Sequence, residues 1–323
     1  MKVLVTGGAG FIASNLVDNL ISQEHDVVII DNLTTGKKEN INSKATFYKE
    51  DICNAESLEK IFAEEKPDIV NHHAAQVDLR KSVVDPLYDA QVNIMGSLNL
   101  INISSKHNIK RFIYASTGGA VYGEPRYLPV DEKHLVDPQS QYGVSKHTVE
   151  HYLFVFLQTH NLPYTVLRYP NVYGPRQDPH GEAGVVAIFT EQMLDGKQST
   201  VFGDGTKTRD YVYVGDLVNA NMSAMFNEAD LSGEIYNLGW GKEVKDIEVF
   251  EAVRDALGLS VEPLFDEKRP GEIDRTCLTN AKAAKGLGWS PKVQFREGIK
   301  LTTDFYKERR IQTSKSDNYR AKK

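Results

Sequence analysis

The opening of the chain, M-K-V-L-V-T-G-G-A-G, constrains the fold more than any other stretch. Residues 3–5 form a short apolar run that meets glycine at once. Residues 11–20 then carry apolar side chains at helical spacing, and residues 27–30 return to an apolar strand. This is a β-α-β unit with a glycine turn after its first strand. Gly7 and Gly10 have the spacing of a dinucleotide fingerprint: Gly7 permits the tight turn, and Gly10 lets the backbone approach a pyrophosphate at the helix N-terminus. Ala13 takes the third small position. A glycine pattern alone is a weak signal, but the flanking strand and helix supply the context that it needs.

Asp31 ends the second strand about 20 residues after the glycines, where a carboxylate accepts hydrogen bonds from ribose hydroxyls; this favours NAD. Its charge would repel a 2′-phosphate, although Lys37 and Lys38 follow closely enough to leave NADP open. Asp51 and Ile52 follow a third apolar stretch, in place to flank an adenine ring, and Asp51 reads equally well as an ordinary strand-end carboxylate.

Further buried strands are expected at 69–71, 111–116 and 164–169, with helices around 55–65, 86–107 and 143–160. Such alternation means a parallel sheet covered on both faces, an α/β Rossmann-type doubly wound fold. A chain of 323 residues exceeds the size at which single cores stop growing, so a smaller C-terminal substrate-binding lobe is expected beside it. The expected division is 1–169 with about 211–242 for the dinucleotide, and 170–210 with 243–312 for the substrate. Prolines and glycines between 170 and 184 suggest an irregular active-site loop. Residues 211–214 read as a strand, 246–257 and 280–287 as helices, and 313–323 as a polar, cationic, mobile tail.

The formal charge of −6 argues against binding a nucleic-acid backbone, so an anionic ligand must be met by local arginines. Cys53 and Cys277 are too few for a disulfide framework and suit a reducing compartment, the cytoplasm. No apolar run is long enough for a membrane span, and the N-terminus lacks the apolar segment of a signal peptide.

Tyr142 and Lys146 stand four residues apart at the start of a helix, so both project from one face. A nearby ammonium is expected to lower the phenol pKa toward neutrality, giving a general base or acid for an alcohol hydroxyl. With 15 tyrosines the chain should show about one Y-x-x-x-K match by chance, so the pair needs support. Support comes from the strand at 111–116, which ends in hydroxyls at Ser116 and Thr117.

The segments TGGAGFI, DNLTTG, HHAAQVDLRKS, STGGAVYGEP, YGVSK, RYPNVYGPRQDPHGEAG, VFGDGTKTRDYVYV and RPGEI together resemble the extended short-chain dehydrogenase/reductases, and among them the UDP-glucose 4-epimerases. The resemblance covers nearly the whole chain. It implies Tyr142 as the base, Lys146 as its electrostatic partner and ribose ligand, and a hydroxyl as third member. Aligned on VYG, the family's usual serine falls on Gly118, so the role passes to Thr117, with Ser116 as fallback. It also implies cofactor contacts from Phe11, Ile12, Asn32, Ala74, Ala75, Gln76, Asn93, Ser116 and Tyr169. Relatives that dehydrate nucleotide sugars place an acidic pair where this chain has Gly118 and Gly119, which leaves elimination without a general acid.

On the substrate side the resemblance implies Arg209 and Arg269 as a diphosphate clamp, and Asn171 at the sugar-proximal phosphate. Glu272 would hold the ribose, and a loop from Gly181 through Gly184, Val185 and Val186 would close over uracil. Thr276, seven positions beyond Arg269, would border the sugar C2 and leave space for N-acetylhexosamines. Arg80 is the contact expected if the substrate is instead a UDP-glucuronate, and a NAD-binding regulator without chemistry is the reading from a different class. The family pairs the helices near 86–107 and 143–160 into a dimer. His147 and His151 have zinc spacing but no evident third ligand, so no metal is expected. One of His72 and His73 is expected near the cofactor diphosphate, and Asp204 and Asp210 are expected to be loop and turn residues.

Overall fold

The computed structural model describes residues 1–180, 184–268 and 273–320, with side chains as far as residue 312. Its centre is a seven-stranded, all-parallel sheet. In spatial order the strands are Glu234–Asn237, Tyr164–Tyr169, Arg111–Thr117, Ile69–His72, Lys2–Thr6, Asp26–Ile30 and Thr46–Tyr48. The strand order reverses beside Lys2–Thr6, between the unit that leads outward to Thr46–Tyr48 and the one that leads back through Ile69–His72. In open parallel sheets this switch point is where ligands bind, at the C-terminal ends of the strands.

The strands are continuous apolar runs because helices cover both sheet faces. One face packs Leu16, Val17 and Leu20 of the Phe11–Ser22 helix with Leu217, Ala220 and Met225 of the Val214–Phe226 helix. The other packs Leu58 and Phe62, Leu100 and Ile101, and Val149 and Leu153. Burying one such aliphatic side chain contributes about 1.5–3 kcal/mol, which makes this two-faced core the main source of stability. A further apolar cluster joins Tyr173, Val186, Phe189, Val201, Tyr211, Phe250 and Ile299, all from the C-terminal half.

Four sequence expectations need correction. The helix expected over 86–107 is three pieces: an α-turn Pro86–Ala90, a π-helical stretch Gln91–Gly96 and the α-helix Ser97–Lys106. The π-turn occurs where Asn93 faces inward and Gly96 presses on Ile52; a Cβ on Gly96 would lie 2.7 Å from Ile52 Cδ1. The stretch after 170 is also more regular than its punctuation suggested. It holds the strand Asn171–Tyr173 and the helix Val185–Leu194, whose apolar residues are buried in the C-terminal cluster.

The strand Tyr211–Tyr213 ends one residue early and pairs with Asn171–Tyr173 outside the large sheet, and Val214 already begins a helix. Finally, Phe295–Arg320 is one helix, so the segment from 313 continues it as far as Arg320. That segment contains no glycine or proline to stop a helix, which outweighs its polar composition.

Candidate functional site

Strand register places the candidate residues in a row. Thr6 lies opposite both Ile30 and His72, and Thr117 lies opposite Tyr169, so Gly7, Asp31, His73, Gly118 and Pro170 leave the sheet at one edge. Gly7 has φ +69° and donates its N–H to Ile30 O at 2.8 Å; a Cβ there would lie 2.8 Å from Ala74 N. Both the left-handed backbone and the close approach require glycine. Gly10 precedes the Phe11–Ser22 helix, which no side chain caps, so its first N–H groups point out of the turn. Gly8 escaped sequence reasoning, yet a Cβ on it would meet Ile29 Cγ2 at 2.7 Å.

Asp31 is buried and held from both sides: Oδ2 accepts from Ala9 N at 3.0 Å and Oδ1 from Leu33 N at 2.8 Å. Burial raises its pKa above the ordinary carboxylate value, against the pull of these two bonds. Lys37 is not poised beside it for a 2′-phosphate, since its ammonium pairs with Asp178 at 3.3 Å. Asn32 Nδ2 donates to Asp51 at 2.9 Å, and Asp51 also accepts from Cys53 N at 2.8 Å. Ile52 is buried in the core.

His72 is the structural histidine, bonded through its two ring nitrogens to Thr6 (2.7 Å) and Ser97 (2.9 Å). His73 abuts the Gly7 turn and meets Tyr169 Oη at 3.0 Å. Burial, reinforced by Lys146, lowers the His73 pKa to about 3, so this imidazole is neutral.

Tyr142 and Lys146 share one face of the helix Gln141–His160, whose N-terminus is capped by Ser140 Oγ accepting from Gly143 N. Lys146 is 4% exposed, with its ammonium 4.5 Å from the Tyr114 ring centroid. The two candidate hydroxyls are separated by strand alternation, in which neighbours point to opposite faces. Thr117 lies near enough to the Tyr142 phenol to pull its pKa downward. Ser116 instead donates to Glu150 at 2.6 Å inside the core, so the hydroxyl of the fallback is turned away from Tyr142. A side chain at Gly118 would have to displace Leu278, because a Cβ would lie 2.2 Å from Leu278 Cδ1. A Cβ on Gly119 would sit 3.8 Å from Thr117 Oγ1 and 3.9 Å from Asn171 Oδ1, so these two polar groups flank one small space.

The electrostatics of the pair differ from expectation. Burial is the largest influence on both groups. It raises the Tyr142 phenol, with Asp89 adding to the rise and Thr117 opposing it. It lowers Lys146 to about 7 against the opposing effects of Glu150 and Asp89. The proton that titrates near neutrality is therefore on the ammonium, because dehydration disfavours the charged form of each partner.

Three charged groups near the pair were missed in the sequence. Glu150 accepts from Arg168 Nε (3.0 Å) and Nη2 (2.5 Å), from Ser116, and meets His147 Nδ1 at 3.1 Å. Asp89 is completely buried. The i+4 spacing of Glu150 from Lys146 was a usable signal; nothing local marked Asp89 or Arg168.

The substrate-side residues converge less tightly. Arg209 Nη1 folds back on Thr208 O (2.9 Å) and Asp274 O (3.4 Å), and buried Thr276 bonds through its N–H to Thr208 O. Arg269, Glu272 and Gly181 lie outside the described residues. Gly184 starts a helix, and Val185 and Val186 form its first turn rather than a loop; Val186 is wholly buried because the apolar cluster takes its side chain. Arg80 is exposed on the short helix Leu79–Val84.

Asp204 lies in a turn and Asp210 in the link between Thr208–Arg209 and Tyr211–Tyr213, where its side chain is structural. Its buried carboxylate accepts from Trp240 N, Gly241 N and Leu278 N, and burial raises its pKa to about 6 despite these bonds.

A dinucleotide cradle beside a tyrosine, lysine and threonine cluster defines an enzyme that oxidises or reduces an alcohol carbon with a nicotinamide cofactor. The chain belongs to the NAD dependent epimerase/dehydratase family, whose model matches residues 3–239. A putative UDP-glucose 4-epimerase of Methanocaldococcus jannaschii is 46% identical over 305 residues, 94% of this chain and 98% of the relative. The crystal structure of a UDP-glucose 4-epimerase with UDP-glucose from Thermotoga maritima is similar at TM-score 0.93 and 47% identity, covering 95% of this chain and 99% of that one. The Thermus thermophilus UDP-glucose 4-epimerase in complex with NAD matches at TM-score 0.89 and 44% identity, with the same coverage.

Proposed function

We propose that this chain is an NAD-dependent isomerase that inverts C4 of a UDP-hexose, interconverting UDP-glucose and UDP-galactose through a transient 4-keto sugar. The observation that carries the reading is the Tyr142 phenol, with Thr117 close enough to lower its pKa and buried Lys146 one helical turn away, on the face of the sheet edge that carries the Gly7 turn. The cradle suits NAD. Gly7 brings bare backbone against Ala74, the helix N-terminus has no side-chain cap, and each Asp31 oxygen has one main-chain donor and spare acceptor capacity. Bound NAD supplies the acceptor, and then the donor, of the C4 hydride.

Tyr142 takes the O4 proton as the alcohol becomes a ketone and returns it when the ketone is reduced from the opposite face. Lys146, as ammonium, stabilises the phenolate, and Thr117 aligns the shared proton. Arg209, Asn171, Thr276 and the helix start at Gly184, Val185 and Val186 are assigned to the UDP-sugar, together with Arg269 and Glu272. Holding the nucleotide while the keto sugar turns uses remote binding energy at the reacting centre. Gly118 and Gly119 provide no acid for loss of water, which argues for epimerisation over dehydration. Residues 1–169 with about 211–242 are assigned to the cofactor, and 170–210 with 243–312 to the substrate.

A homodimer fits the same reading. Val84, Leu87 and Met95 on one side, with Val144, Tyr152 and Val155 of the Gln141–His160 helix, are exposed apolar side chains on helices that pack together. Free Cys53 and Cys277 suit the cytoplasm.

The test is to incubate the purified protein with UDP-glucose and no added NAD⁺, then separate the C4 epimers. Inversion is expected from wild type, and Tyr142→Phe should lose about 10²- to 10⁴-fold in kcat. Absence of inversion, or release of NADH in proportion to product, would overturn the reading. UDP-N-acetylglucosamine and UDP-glucuronate in parallel test the roles of Thr276 and Arg80.

A further inference from the structure

Asp89 lies on the single turn Pro86–Ala90 and is 0% exposed. Oδ1 accepts from Gln76 Nε2 at 3.0 Å and Asn93 Nδ2 at 2.9 Å, and Oδ2 accepts from the Ser145 hydroxyl. These partners come from three segments. Gln76 belongs to the loop after Ile69–His72 and is clamped again by Asn93, which accepts its N–H at 2.8 Å and donates to its carbonyl at 2.9 Å. Asn93 lies in the π-turn, and Ser145 adjoins Lys146. A buried carboxylate needs such donors, since a charge left unsatisfied there would cost several kcal/mol.

The groups facing this carboxylate are few. Tyr142 and Lys146 of the Gln141–His160 helix and Tyr114 of Arg111–Thr117 feel its charge, while Glu150, one turn further on, acts on Lys146, and His72 and His73, both neutral, feel Lys146 from the neighbouring strand end. Arg80 is exposed on the adjoining short helix, and Lys81 there lies over the Tyr88 ring. Asp89 and Glu150 are thus the two anions that act on Lys146. Glu150 is neutralised by Arg168, whereas the partners of Asp89 are uncharged.

We infer that Asp89 is a positioning residue for the proton-transfer pair: through Ser145 it ties the Tyr142–Lys146 helix to the 74–78 loop and the π-turn, and its buried carboxylate stands beside the pair. The inference rests on the proposed reaction. Its electrostatic half has a definite sign. Removing the negative charge lets the Tyr142 phenol give up its proton at lower pH, so the acid limb of the activity profile moves to lower pH.

The experiment measures kcat and KM against pH for wild type, Asp89→Asn and Ser145→Ala, each purified with its own cofactor, on whichever UDP-sugar wild type epimerises. Asp89→Asn should shift the acid limb down by about one unit, the size expected for a nearby buried charge. The Tyr142 phenolate absorbance, read against Tyr142→Phe as blank, should shift in the same direction. An acid limb that stays in place while activity falls evenly at every pH would overturn the inference and leave Asp89 a purely structural group.

If Asp89→Asn does not fold, Ser145→Ala carries the test. It keeps the charge and removes only the tie, so kcat should fall at least fivefold with KM nearly unchanged and the limb in place; a wild-type kcat would overturn the inference. Failure of wild type to invert C4 on any UDP-sugar speaks against the proposed reaction, not against Asp89.

Discussion

Replacing Glu150 by alanine would leave the Arg168 guanidinium in a pocket where its side chain is 4% exposed, with the Tyr122 hydroxyl at 2.7 Å as its remaining hydrogen-bond partner among the described residues. Breaking a buried pair by removing one member costs about 3–5 kcal/mol, because the surviving charge stays dehydrated. An unfolding entropy of about 2 cal/mol/K per residue over 323 residues converts this to a Tm drop of ~4–7 °C. The assay is thermal unfolding at neutral pH by circular dichroism, with urea titration to check the free energy.

Glu150→Leu combined with Arg168→Met should recover most of the loss, since no lone charge remains. The pH dependence follows from the Glu150 carboxyl. Burial alone would raise it, but hydrogen bonds from His147 and Arg168 and the Arg168 charge hold it down to about 2, below its ordinary 4.5. The stabilisation is complete above that ordinary value and is lost as pH falls toward 2, so the deficit of Glu150→Ala should shrink over this acid window. A variant within about 1 kcal/mol of wild type at neutral pH, or a double variant no more stable than the single, would refute the reasoning.

Two further perturbations separate neighbouring residues by role. Thr117→Val should lower kcat by about 10- to 100-fold while Ser116→Ala leaves kcat within about twofold and costs about 1 kcal/mol in stability, because the lost hydroxyls serve Tyr142 and Glu150 respectively; steady-state rates and melting curves read both. Gly7→Ala places a Cβ 2.8 Å from Ala74 N at φ +69°, so the purified protein should contain much less NAD, measured after acid release, and normal retention would contradict the cradle.

The cofactor edge was legible in the sequence because its determinants are local. Gly7 and Gly10, Asp31 at the end of the next strand, and Tyr142 four residues before Lys146 are spacings along one strand, turn or helix turn, and each local geometry carries a fixed meaning. The choice between Ser116 and Thr117 was not legible until the strand's two faces were known: one points to Glu150 and the other to Tyr142. Leu278 closing the space at Gly118 was equally hidden, since 160 residues separate the two positions.

The sequence by itself determined the doubly wound sheet, the cofactor turn and the two reacting side chains, since hydrophobic periodicity and short-range spacing encode them. The tertiary structure alone decided the state of those side chains. Tyr142 and Lys146 looked like a phenol lowered by its ammonium, but burial raises the first and lowers the second to about 7. Asp89 and Glu150 oppose that lowering from outside and within the helix, and no pattern in the chain announced that either carboxylate is buried. Dehydration and the placement of distant charges depend on which segments pack together, and that is a property of the folded chain.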